Sequence, residues 1–117
     1  MEKLIDCDCE ACKVGAPLAT AEERDEFMQQ LPDWRIITIN NIERLVRQFR
    51  FPNFVSALAF TNAVGELAEA QGHHPTLLTE WGSVEVSWWS HKIKGLHRND
   101  FIVAARTDQV FEAAQQV

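Results

Sequence analysis

The 117-residue chain predicts an α+β fold: a four-stranded antiparallel sheet with helices packed on one face, in the order α-β-β-α-β-β-α. Three observations predict it. Helix-spaced apolar residues recur in three blocks. Between the blocks lie two pairs of alternating segments, and each pair is joined by a tight-turn signal, Asn40-Asn41 and Gly82-Ser83.

Residues 1–19 have no periodicity and include Gly15 and Pro17, so they read as an irregular arm ahead of a domain spanning 20–117. Thr20-Ala21-Glu22-Glu23 has the form of a capping box, in which the Thr20 hydroxyl accepts from the Glu23 amide and the Glu23 side chain reaches back. A short helix follows with Phe27 and Leu31 on its inner face, and Pro32 ends it. Trp34, Ile36, Thr38 and Asn40 alternate with Arg35, Ile37 and Ile39 as a first strand. The return strand, with Ile42, Leu45-Val46, Phe49 and Phe51, alternates imperfectly and leaves room for a bulge. Pro52-Asn53 opens the longest helix, 54–70, where Phe54, Leu58, Thr61, Val64-Gly65 and Leu67-Ala68 recur at helical spacing beside Ala57 and Phe60. Gly72 supplies the permissive backbone at its exit. Strands at about 76–81 and 84–91 come next, with Val84, Val86 and Trp88 alternating against Glu85, Ser87, Trp89 and His91. A loop over Lys92–Leu96 leads to a last helix at about 98–114 carrying Phe101-Ile102, Ala105, Val110 and Ala113.

Composition excludes several classes. A formal charge of −6 counts against a nucleic-acid surface, which needs clustered Lys and Arg. Arg44, Arg47 and Arg50, with Lys92, Lys94 and Arg98, are scattered among acids and read as solvated faces. No apolar run approaches a bilayer span, and Met1–Asp6 lacks the core of a signal peptide, so the cytoplasm is expected. Cys7, Cys9 and Cys12 are too few and too bunched for a disulfide framework. Their C-x-C-x2-C spacing offers thiolates to zinc but lacks a fourth nearby ligand, so a mobile arm with free thiols is the expectation.

The chemistry concentrates in E-x3-H-H-P-x5-W-x9-H-x8-D, which runs from Glu69 through His73, His74, Pro75, Trp81 and His91 to Asp100. Two imidazoles sit at a helix exit stiffened by Pro75, a third ends a strand, and a carboxylate lies in the first turn of the last helix. Imidazole titrates near neutral pH, and a carboxylate beside it fixes its tautomer, so the cluster has the makings of a general acid and a general base. Trp81 and Trp89, with Trp34, offer flat walls for an aromatic ligand. Plainer readings stand beside these. The tryptophans can be core, Asp100 can serve the helix N-terminus, His97 can be hydrogen-bonded filler, and His73, His74 and His91 can bind zinc.

The G-H-H-P segment, the W-x9-H-x8-D continuation and the G-L-x3-D entry to the last helix resemble the pterin-4a-carbinolamine dehydratase family, over roughly residues 20–113. The chain departs from it at Asn99, where many members place arginine, and at His97, where others often have Ser or Thr. The resemblance implies dehydration of 4a-hydroxytetrahydropterin, the carbinolamine left by aromatic amino acid hydroxylases, to quinonoid dihydropterin. Pterin is then the substrate, and no metal, nucleophile or redox cofactor is implied. It also implies roles: His73 and His91 as the acid/base pair, His74 as a binding partner, Asp100 as the orienting carboxylate and Trp34 as a stacking wall. Glu69, Pro75, Trp81 and Trp89 complete the expected substrate-binding set.

The alternative it leaves is an oligomeric interaction protein, a dimerisation cofactor or a hydroxylase regulator. A homodimer or homotetramer is expected through the apolar face of 57–68, with Leu58 and Val64 at the interface. Since the arm carries no motif position, its deletion is expected to spare activity and assembly.

Overall fold

Local hydrogen bonds set most of the element boundaries. Thr20 and Glu23 form the expected reciprocal capping box, which starts α1 (Ala21–Met28). Asn40 and Asn41 both take positive φ, 53° and 64°, the backbone a two-residue hairpin turn requires between β1 (Arg35–Ile39) and β2 (Ile42–Arg50). Asn53 accepts from the Ser56 amide to start α2 (Phe54–Gln71). β3 (Thr76–Glu80) and β4 (Ser83–Trp88) turn at Trp81-Gly82, with Gly82 at φ 77°, and α3 (Arg98–Gln115) ends the fold. The computed structural model describes residues 3–7 and 17–115.

The sheet has the antiparallel order β1-β2-β4-β3, and the helices pack against one of its faces. Leu45, Phe49, Val84, Val86 and Trp88 point toward the helices, where Ala57, Phe60, Val64 and Ala68 of α2 and Phe101, Ile102 and Ala105 of α3 close the core. The stripe on α2 is therefore 57/60/64/68. Phe54 and Leu58, expected on the same face, are 44% and 42% exposed because the sheet takes the neighbouring face. Val64 is fully buried within the subunit, which removes it from any interface.

The expected bulge in β2 is absent. Its register runs unbroken from Ile39↔Ile42 to Arg35↔Val46 on one side and from Leu45↔Trp88 to Arg50↔Ser83 on the other. The alternation looked imperfect because Arg47 fills an inward position, opposite Val86. Its guanidinium lies over Phe49 and Phe111 and pairs with Asp108 at 2.6 Å. Arg47 is thus half-buried over the core aromatics rather than part of a solvated face.

The described part of the arm is docked. Leu4, in a 3-10 turn at Leu4–Asp6, is 1% exposed, and its amide donates to Gln30 Oε1. Arg106 of α3 donates to the Cys7 carbonyl, and Ala19 donates to the Leu96 carbonyl. The Cys7 thiol donates to the Lys3 carbonyl at 3.4 Å and accepts from Arg98 at 3.7 Å, and Cys9 and Cys12 lie outside the described residues. Among the described residues no helix is long and apolar enough to cross a membrane.

Candidate active site

The exit of α2 delivers both adjacent histidines. Gly72 is left-handed at φ 63°; its amide returns to Glu69 O, and the His73 amide returns to Ala68 O. This is a Schellman closure, which fixes the backbone of His73 to the last turn of the helix. His73 then points inward, 7% exposed, with its ring parallel to Trp88 at 5.8 Å. His74 points outward, with Nε2 2.7 Å from Glu69 Oε1. Pro75 follows and leads into β3.

Asp100 is fully buried and draws three donors. His73 Nε2 lies 2.6 Å from its Oδ1, while Ser90 Oγ and the His97 amide both donate to Oδ2 at 2.8 Å. A carboxylate that accepts from all three groups makes Nε2 the donor nitrogen of His73 and leaves Nδ1 on the side of the ring away from Asp100. Two of the sequence readings hold at once here. One oxygen of Asp100 serves the helix N-terminus and the other orients a histidine. The departure at His97 also resolves: its Nδ1 accepts from the Asn99 amide at 3.0 Å, which is the capping work of a Ser or Thr hydroxyl.

β4 stops at Trp88 instead of running to 91. Ser90 pairs with Gly95 across a tight loop, so His91 is an exposed turn residue. It stays with Trp89 nonetheless, ring on ring at 3.9 Å and 12°. The Arg44 guanidinium lies 4.7 Å from the Trp89 ring centre, so Arg44 belongs to this cluster rather than to a solvated face. The two adjacent indoles therefore carry one histidine each, His73 parallel to Trp88 and His91 on Trp89. Among the described residues no hydrogen bond joins His91 to the His73–Asp100 pair.

Two expected walls lie elsewhere. Trp34 is 4% exposed, stands edge-on to Phe49 and donates to Asp108 Oδ1 at 2.8 Å. A buried indole that bonds α3 to the sheet offers no face to a ligand in this subunit. Trp81 is 73% exposed at the tip of the β3–β4 turn. Six residue steps along β3, at ~3.3 Å each, separate it from Pro75 by roughly 20 Å. Burial raises the Asp108 carboxyl above the ordinary carboxylate range, while the Trp34 and Arg47 donors pull the other way without cancelling it. Among the described residues no group of three His, Cys, Asp or Glu side chains is arranged to hold a metal ion.

Sequence reasoning missed Ser90 and Trp88. Ser90 looked like one more polar residue in an alternating segment, and Trp88 like core alone. The one signal available for Ser90 is its place directly before His91.

The family model for pterin 4 alpha carbinolamine dehydratase matches residues 17–110. A protein of Syntrophotalea carbinolica, provisionally named a pterin-4-alpha-carbinolamine dehydratase, is 61% identical over 112 residues, 96% of this chain and 100% of that one. A transcriptional coactivator/pterin dehydratase from Brucella melitensis has the same fold, with TM-score 0.71 and 24% identity over 80% of this chain and 98% of its own. A pterin dehydratase-like protein identified as a RuBisCO assembly factor in the alpha-carboxysome aligns with TM-score 0.57 and 24% identity, over 67% of this chain and 88% of its own.

Proposed function

The chain belongs to the pterin 4 alpha carbinolamine dehydratase family, and from that premise we propose that it dehydrates 4a-hydroxytetrahydropterin to quinonoid dihydropterin and water. In this role it returns pterin to aromatic amino acid hydroxylases. The reaction is a paired proton transfer. The 4a-hydroxyl takes a proton and leaves as water, the N5 electron pair forms the C4a=N5 bond, and the N5 proton departs to a base.

The observation that carries the reading is the buried His73–Asp100 pair at 2.6 Å. His73 is the base, acting through Nδ1, and the imidazolium it forms stays against the Asp100 carboxylate. His91 is the acid for the leaving hydroxyl, and His74, oriented by Glu69, binds the ring. Trp89 backs the His91 ring by stacking on it, with the Arg44 guanidinium over the same indole. Stopped-flow absorbance of carbinolamine dehydration tests it. His73→Ala and His91→Ala should each lower the rate by roughly 10²-fold or more. The double variant should lose less than the product of the two, because groups acting as a unit are not additive. Turnover like wild type in both single variants would remove these residues from the mechanism.

A second reading, an oligomeric interaction protein, draws on Phe54, Val55 and Leu58, which are 44%, 76% and 42% exposed at the start of α2. Leu58→Glu should weaken self-association in light scattering and leave turnover in place. Activity lost in step with assembly would mean that the site needs a neighbouring subunit.

A further inference from the structure

Asp100 divides its two oxygens between two tasks, and the division depends on a residue outside its own helix. The His97 amide bonds to Oδ2 as part of the ordinary cap of α3. Ser90 reaches the same oxygen at 2.8 Å from just beyond β4. Its lone pairs lie in the plane of the carboxylate, so two donors on Oδ2 fix that plane and with it the direction in which Oδ1 faces His73. Ser90 is itself held. It is fully buried, its amide donates to Gly95 O at 2.9 Å, and its carbonyl accepts from the Gly95 amide at 3.4 Å.

We propose that Ser90 is a positioning residue: by donating to Asp100 Oδ2 it keeps Oδ1 on His73 and the imidazole proton on Nε2, leaving Nδ1 as the basic nitrogen. It also couples the two halves of the site. Its backbone closes the loop that carries His91, and its hydroxyl orients the carboxylate that sets His73. Without the hydroxyl, Oδ2 keeps one donor, the carboxylate plane is free to tilt, and the His73 proton is no longer confined to one nitrogen. The kinetic consequence rests on the dehydratase reading; the tautomer consequence does not.

The test joins imidazole ¹⁵N–¹H spectra of the ligand-free protein with stopped-flow dehydration. Wild type should show His73 protonated on Nε2. Ser90→Ala, which adds no volume, should mix the two tautomers and lower kcat roughly 10- to 100-fold, the worth of a hydrogen bond to a charged group, with KM within about twofold. Ser90→Thr, which keeps the hydroxyl, should restore both. A His73 proton on Nδ1 in wild type overturns the proposal even if neither variant folds. So does a folded Ser90→Ala that keeps both its spectrum and its kcat. A wild-type protein with no dehydratase activity sinks the dehydratase reading alone, because the spectra still decide Ser90.

Discussion

Two imidazole–carboxylate pairs arise from neighbouring residues and share nearly the same contact length, yet they differ in kind. His73 and Asp100 meet at 2.6 Å with side chains 7% and 0% exposed; His74 and Glu69 meet at 2.7 Å with side chains 61% and 80% exposed. Water competes for every donor and acceptor of the outer pair, and salt screens it, so its coupling is typically below ~1 kcal/mol. The inner pair has no such alternative. Losing one partner there leaves a buried polar group unmatched, which costs several times more. Burial, not distance, ranks them. The inner pair can hold a proton on a chosen nitrogen, whereas the outer one biases a ring that remains free to turn toward a ligand.

The sharpest way to break the comparison is Asp100→Asn. An amide offers His73 either a donor or an acceptor, so the ring is free to take the other tautomer, and dehydration should fall at least ~10²-fold with little change in fold. Adding His73→Ala to it should lower the rate little further. An Asp100→Asn enzyme with near-normal turnover would show that the buried pair is structural only.

Next in size is the support under that pair. The arm docks along the first half of α3, with Leu4 in the core, Arg98 on the Cys7 sulfur and Arg106 on the Cys7 carbonyl. Leu4→Ala should destabilise the fold by about 2 kcal/mol, the low end for a buried leucine because a short turn can relax, and lower Tm by roughly 8 °C. Removing the arm should therefore cost stability, contrary to what its lack of motif positions suggests. A truncated protein that melts with wild type would restore the arm to an appendage.

The outer pair should respond weakly. Glu69→Gln is expected to raise KM a few-fold with kcat nearly unchanged, and the difference should shrink as salt rises. A loss of kcat as large as that of Asp100→Asn would erase the distinction drawn from burial.

The smallest effect concerns Asp108, which lies two turns beyond Asp100 on α3. Its folded-state pKa is raised by burial above the ordinary 3.8, so its protonated form favours the fold. That contribution is complete below about pH 3.8 and is lost as pH rises through the raised folded value. Relative to Asp108→Asn, wild type should lose stability over that window and run parallel to it above. Thermal melts of both proteins between pH 3 and 7 check the sign.

Much of the fold was legible along the chain because its signals are local. The capping box at Thr20, the Asn40-Asn41 turn and the Gly72 exit act within a few residues, and the alternation of Val84, Val86 and Trp88 follows from strand geometry alone. Where the reading went astray, a long-range partner had decided. Arg47 spoiled the pattern of β2 because Asp108, far along the chain, makes an inward guanidinium tolerable. Trp34 became an anchor for the same reason.

The site divides in the same way. The sequence by itself determined that His73 and His74 leave a helix together, that His91 accompanies Trp89, and that Asp100 opens the last helix, because each is a matter of spacing. Only the tertiary structure decided that His73 turns inward to a carboxylate while His74 turns out to another, and that Ser90 is the residue between the two halves. Burial and orientation depend on which surfaces come together, and no local pattern encodes how much water remains beside a side chain once they have.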